Sequence, residues 1–408
     1  MSKKSLFGLH VSYSAINGLY WILFVFVTNF AVMLLRERGI GEANVGFFLA
    51  AACVVVLLVQ PLIASFADHH PERAVNRIMA LVIILGVLGL VADMLLADHP
   101  ILVVAIFIVS TGFIMSCQGM VAAISVRFIH RGIGLTFSVP RAIGSLSAAV
   151  GSLFLGNIAD AFGIDTLFYL RIGIGVVLIL LLLFFPNAKK YGTDPEPDKK
   201  LEGPIPTIGD ILKRNKVLVF FLLGVAFMYS SLSCASTFFL PIINRVGGTN
   251  ADFGFVSFLM STLEVIPMFG YAFLQKRISM RTMINISALA VLARAVLLLF
   301  AGSVAAIALI IGVTMMLSTG LLNTTMVLFL DDQMTEHEKV RGQALGNMAS
   351  FGAGWLIGNL AGSFSMSLLG LNGVIITSAS IAALGVIMIF ISTAMHKRKE
   401  AYKPRHAR

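Results

Sequence analysis

Charge is what this sequence lacks most. Asp, Glu, Lys and Arg make up only 12% of its 408 residues. Soluble domains carry about a quarter, so an ordinary globular enzyme is excluded. Cysteine is nearly absent too: Cys53, Cys117 and Cys234 each sit inside an apolar run, which leaves neither a disulfide framework nor a Cys-based zinc site. No Gly-rich phosphate loop occurs, so ATP does not energise this chain by itself. His337-Glu338 lacks the second histidine of a zinc-protease helix, and His69-His70 gathers no carboxylates beyond Asp68 and Glu72.

What the chain has instead is long apolar runs. The hydrophobic share is 58%, and a helix needs about 20 mostly apolar residues to cross a ~30 Å hydrocarbon core. Twelve such runs are predicted as spans 1 to 12, over 8–35, 44–67, 77–97, 100–127, 138–162, 166–186, 217–244, 253–274, 283–302, 304–330, 344–369 and 373–394. The first is too long for a cleaved signal and ends at no small-residue cleavage site, so it is expected to remain. The backbone is expected to be helical, because unpaired amides cannot face lipid.

The net charge of +10 has a topological pattern. With the N-terminus in the cytoplasm, 24 of the 30 Lys and Arg fall on the inner side, only Arg36, Arg38 and Arg245 fall outside, and Arg141, Arg171 and Arg294 lie within spans. The positive-inside rule therefore places both termini in the cytoplasm. The basic residues are a topological signal and a potential contact for anionic lipid headgroups, not a nucleic-acid footprint.

The segment 187–216, rich in proline and charge, reads as a cytoplasmic linker. It separates two six-helix bundles, 1–186 and 217–394, and a basic tail, 395–408, follows. The halves repeat each other. Leu155-Gly-Asn-Ile-Ala159 in span 5 recurs as Ile357-Gly-Asn-Leu-Ala361 in span 11; the same shift lays Gly144 on Gly346, and Pro61 of span 2 matches Pro267 of span 8. Many secondary transporters are built from parallel six-helix repeats of this kind.

With these features the whole chain resembles the major facilitator superfamily. That family's loop 2–3 signature, Gly-x-x-x-Asp-(Arg/Lys)-x-Gly-(Arg/Lys), is similar to Ala64-Ser-Phe-Ala-Asp68-His-His-Pro-Glu-Arg73, with a repeat copy at Gly270-Tyr-Ala-Phe-Leu274-Gln-Lys-Arg277. Asp68 is kept, while the first glycine is alanine and the later one is missing. The resemblance implies a gating role for Asp68 and Arg73. An Arg early in span 5, a Glu in span 8 and an Arg in span 9 make the chain most similar to the lactose-permease and nucleoside:proton symporter branch. The span 5 motif of drug antiporters is absent. The full lactose-permease charge network does not carry over, and its galactoside-stacking tryptophan is Ala148 here. The resemblance implies an all-α membrane protein of twelve transmembrane helices in two six-helix pseudo-repeats, the major facilitator fold.

Among the acids, Glu264 alone lies in the middle of a span, where a charge costs about 2.5–3.5 kcal/mol and requires a partner, a cavity or a proton. Counted from the loop at 275–282, Glu264 and Arg294 reach depths of ~16 and ~18 Å on consecutive antiparallel helices. Glu264 is expected to take up a proton, or to hold a substrate hydroxyl, with Arg294 biasing its ionisation; a permanently ionised brace between two helices is the alternative. No histidine lies mid-span to serve as a relay. Arg141 is either a snorkelling cation or, as the resemblance implies, a substrate ligand. Arg171 is expected to snorkel or to pair with Asp160 or Asp165.

Polar residues recur on helix faces: Ser14, Asn17, Trp21 and Thr28; Arg141, Ser145 and Ser152; Ser230, Ser233 and Thr237; Ser257, Ser261 and Glu264; Thr319, Asn323 and Met326. They are expected either to line a solute path or to glue helices together. The expected substrate ligands are Arg141, Asn17, Trp21, Ser261 and Asn323. The expected function is proton symport of a small polar organic solute, of sugar or nucleoside type, by alternating access of the two halves. Efflux antiport of amphipathic compounds and a non-transporting sensor are the alternatives, and sodium is the alternative coupling ion. No cofactor beyond the proton and no nucleic-acid partner is expected. The expected partners are the solute and membrane lipid, the working unit a monomer, and the place a bacterial cytoplasmic (inner) membrane.

Overall fold

The computed structural model describes residues 3–69, 74–129, 131–135, 138–188, 208–335 and 338–401. Among the described residues there are helices and no strand. Spans 2, 3, 5, 6, 8 and 9 are single helices: Glu42–His69, Val75–Leu95, Ser138–Phe162, Asp165–Phe184, Asn250–Leu274 and Met280–Phe300. Others are interrupted, among them two pairs of repeat mates, spans 1 and 7 and spans 4 and 10. Span 1 is Lys3–Thr28 then Ala31–Glu37, and span 7 is Lys216–Thr237 then Phe239–Arg245. Span 4 breaks between Pro100–Ser116 and Gln118–Ile129, while span 10 joins Val304–Met315 to Leu321–Gln333 through a π-helical turn, Met316–Gly320. Span 11 opens as Lys339–Asn347, passes through a second π segment, Met348–Gly354, and continues into Trp355–Ala401.

Among the described residues eleven segments are long and apolar enough to cross a membrane, against twelve expected. The last, Gly342–His396, has 55 residues and would run ~80 Å if straight. It turns back instead. Ser365 Oγ and Thr377 Oγ1 hydrogen-bond at 2.7 Å, although an ideal helix would set residues at that separation ~18 Å apart. Between them Gly370 has φ 67° and ψ −165°, a conformation glycine adopts without a Cβ penalty. The expected spans 11 and 12 are the two arms of this turn.

The surface is that of a protein dissolved in lipid. Leu62, Ile101, Phe300 and Leu368 are largely exposed, while Asn17, Ser231, Thr325 and Ser363 are buried. A water-soluble chain has the opposite arrangement. The protein is an integral, multi-pass membrane protein.

The chain forms two compact units, residues 1–200 with 243–262, and residues 201–242 with 263–408. In the first unit, spans 3 and 6 are tied by Asn76, whose Nδ2 donates to the carbonyls of Leu182 (2.8 Å) and Phe185 (2.9 Å). The same two spans hold an ion pair with both side chains buried, Arg171 with Asp93. This corrects the expected partner of Arg171. Asp160 is already engaged, accepting from Asn250 Nδ2 at 2.8 Å and Ala251 N at 2.7 Å, and so caps the first turn of span 8. There spans 5 and 8 meet closely enough that a Cβ on Gly156 would lie 2.3 Å from the Asn250 carbonyl oxygen.

In the second unit, span 7 packs against both arms of the Gly370 turn. Ser231 Oγ and Ser378 Oγ hydrogen-bond at 2.9 Å, and a Cβ on Gly358 would lie 2.2 Å from the Ser230 carbonyl oxygen. The end of the segment read as linker is a short helix, Ile208–Arg214, whose Ile211 joins Phe221 and Phe329 in the core. Arg214 pairs with Glu338. Burial pushes the Glu338 carboxyl up, but donation from Thr335 and Arg214 outweighs it and holds the carboxyl below the ordinary range.

Candidate functional site

Two polar constellations form inside the spans, one in each unit. The second centres on Glu264. Span 8 carries it one turn before Pro267, a residue that cannot donate a backbone hydrogen bond and so leaves a carbonyl of the preceding turn unpaired. Span 10 comes very close at this level. A Cβ on Gly320 would lie 2.6 Å from the Glu264 carbonyl oxygen and 2.4 Å from Pro267 Cγ. This approach, made within the π segment, brings Asn323 to the carboxylate, where its Nδ2 donates to Glu264 Oε1 at 2.7 Å. The other end of that amide, Oδ1, accepts from the Tyr229 hydroxyl of span 7. Tyr229 is itself buried, and its ring meets Phe351 edge-on at 5.4 Å. From span 9 the buried Arg294 donates to Met315 Sδ at 2.8 Å, and its charge acts on Glu264 through space.

Both polar ends of Asn323, expected to line the substrate path, are thus engaged by protein groups. Ser261 lies half-buried on the same helix, three residues before Glu264. Gly320→Ala should separate the two helices: proline and backbone cannot yield, and overpacking of this kind costs about 1–3 kcal/mol. The purified variant should melt several degrees lower and transport more slowly. Gly312→Ala, whose nearest neighbour is Leu263 Cδ1 at 3.4 Å, should change neither; a Gly320→Ala protein as stable and active as its parent would refute the close approach.

In the first unit the guanidinium of Arg141 lies 4.0 Å from the Trp21 ring centroid, and its Nη1 donates to Ser145 Oγ at 2.6 Å. Spans 1 and 5 touch here, since a Cβ on Gly144 would meet Trp21 Cδ1 at 2.6 Å. The stacking holds the cation beside Trp21. One turn before Trp21, Asn17 is fully buried. Its Nδ2 donates to the Tyr13 carbonyl at 3.0 Å, while the Tyr13 hydroxyl donates to the Val121 carbonyl instead. Asn17 Oδ1 and Trp21 Nε1 are both buried without a hydrogen-bond partner. One acceptor and one donor thus stand unused on the same face of span 1, an arrangement costly in apolar surroundings unless something binds there.

Other expected faces serve packing. Ser152 and Ser230 donate back to their own helices. Ser233 donates to the Trp355 carbonyl, and Thr237 donates to Asn359 Oδ1 at 2.5 Å. Of the expected gating pair, Asp68 closes the helix Glu42–His69; its side chain and Arg73 lie outside the described residues.

The model of the Major Facilitator Superfamily matches residues 12–351. The chain belongs to that superfamily. No curated protein matches it in sequence. Among solved structures, two crystal structures of the nucleoside transporter NupG, one a point mutant, superpose with TM-scores of 0.78 and 0.76 at 14% and 15% identity, covering 95% of this chain and 99% of theirs. A bacterial homologue of the human lysosomal transporter Spinster, inward-facing and occupied, gives 0.67 at 15% identity over 98% of each chain. At such identities the likeness is one of fold.

Within this major facilitator chain, sequence reasoning missed Tyr229 and Asp93. A signal existed for each: a mid-span tyrosine needs a partner for its hydroxyl, and an Asp near a span end needs one for its charge. Neither signal names the partner.

Proposed function

We propose that this major facilitator transporter is a proton-coupled symporter that carries a small polar organic solute, of sugar or nucleoside type, across the bacterial cytoplasmic membrane by alternating access, working as a monomer. The observation that carries this reading is the environment of Glu264. A single mid-span carboxylate is held by the Asn323 amide and acted on by the charge of Arg294, and such a group can bind and release a proton. Arg141, Trp21 and Asn17 are assigned to the solute. The guanidinium donates to hydroxyl or carbonyl oxygens, the indole offers an apolar face and its unused N–H, and the Asn17 oxygen accepts. Such a group of contacts suits a solute that presents both donors and acceptors. Ser261 is assigned to the solute as well.

The test is reconstitution in liposomes that contain a pH indicator, with sugars, nucleosides and small carboxylates added outside. Solute-induced acidification of the lumen names the substrate class and supports symport. Silence across the panel from demonstrably folded protein overturns the reading, and uptake of amphipathic compounds by energised vesicles would replace it with efflux.

A further inference from the structure

Three side chains from three helices of the second unit form a chain with a direction. The Tyr229 hydroxyl of span 7 donates to Asn323 Oδ1, and Asn323 Nδ2 of span 10 donates on to Glu264 Oε1 of span 8. Every donor points toward the carboxylate. Donation into the amide oxygen withdraws electron density from the amide nitrogen and strengthens the hydrogen bond that the nitrogen makes in turn. The arrangement therefore favours an acceptor-only Glu264. Protonation takes away the charge that makes this bond strong: the neutral carboxyl still has an oxygen that can accept from Asn323 Nδ2, but it accepts less strongly than the anion. Donation along the series from Tyr229 through Asn323 therefore stabilises the ionised carboxylate more than the protonated one.

We propose that Tyr229 is a positioning residue for proton coupling: acting through Asn323, it favours the ionised form of Glu264 and so sets the pH at which the carrier loads its proton. This rests on the reading of Glu264 as the proton site. Tyr229 is well placed to act through another residue rather than on the solute. It is buried, its ring is fixed against Phe351, and its hydroxyl is committed to Asn323. Among the titratable and charged groups that act on Glu264 are Tyr229 itself from span 7 and Arg294 from span 9, while span 10 contributes the neutral Asn323.

The experiment measures solute-driven proton entry against pH in proteoliposomes for the parent, Tyr229→Phe, Asn323→Leu and the double variant. A symporter loads when its carboxyl is protonated, so its rate falls as pH rises through a midpoint. Tyr229→Phe removes the first donor, weakens support for the anion and should move that midpoint upward by about half a pH unit, with KM at acid pH unchanged. Asn323→Leu should move it in the same direction at least as far. The double variant should move it no further than Asn323→Leu alone, because Tyr229 acts only through the amide. A midpoint unmoved by Tyr229→Phe, or shifts that add in the double variant, would overturn the proposal. Absence of proton entry in the parent would instead defeat the reading of symport itself, so the two failures are told apart.

Discussion

Reconstituted Glu264→Gln protein should equilibrate its solute across the membrane and concentrate none of it. Glutamine keeps the volume of the side chain and an oxygen that can accept from Asn323 Nδ2, which now donates at 2.7 Å, but it neither gains nor loses a proton. A carrier that moves one proton per solute without net charge can concentrate that solute about tenfold for each unit of pH gradient, since 1.4 kcal/mol is a factor of ten. For the variant the ratio should fall to one at any gradient, while counterflow of labelled against unlabelled solute persists. Loss of the carboxylate also removes the opposite charge that acts on the buried Arg294, so the variant should be less stable. Counterflow separates that effect from coupling, because an unfolded protein shows neither activity. Undiminished accumulation by Glu264→Gln would take this carboxylate out of the mechanism and leave it a brace between helices.

Asp93→Ala should strongly destabilise the first unit. Asp93 and Arg171 bury both members of an ion pair, with side chains 4% and 1% exposed. The guanidinium also lies 4.6 Å from the Phe168 ring centroid, and its Nε is buried without a partner. Breaking a buried pair by removing one member typically costs about 3–5 kcal/mol, because it leaves an uncompensated charge behind, whereas replacing both members by apolar residues is often neutral. The melting temperature of the purified protein should therefore drop steeply in Asp93→Ala. It should recover most of that loss in the double variant Asp93→Leu/Arg171→Leu. A single variant that melts with the parent, or a double variant worse than the single, would show that the pair is not what holds spans 3 and 6 together. Transport by the stable double variant should match that of the parent, as neither residue belongs to the Glu264 or Arg141 constellations.

The spans were legible because the hydropathy of a lipid-crossing helix is a local property, written continuously along the chain. Glu264 was legible for the same reason, a lone acid in the middle of an apolar run. Partners were not. Tyr229 and Asn323 are 94 residues apart, and Asp93 and Arg171 are 78 apart. Nothing local distinguishes Asp93 from Asp160 or Asp165 as the acid that Arg171 meets; the choice is made by which helices pack together. The polar faces were legible as faces, but spacing left lining and helix packing open. A serine that bonds to its own helix and one that turns to water have the same spacing, and Ser152 and Ser230 are of the first kind. The π segments were invisible, since an extra residue per turn leaves composition untouched. Gly370 was legible only as a gap between two runs, and its left-handed φ supplies the reversal.

The π segment Met316–Gly320 has a mechanical consequence. In a lattice of hydrogen bonds that repeats every four residues, one turn with a five-residue repeat is a dislocation, and a dislocation moves by glide. Each step breaks one bond and remakes another, so the number of bonds is conserved and the barrier stays local. Asn323 stands three residues past this defect. A defect that passed Asn323 would turn that side chain about the helix axis once, by ~100°, the angle per residue of an α-helix. The turn that sets Gly320 against Glu264 is thus also the place where span 10 can change register with no hinge and no unfolded turn.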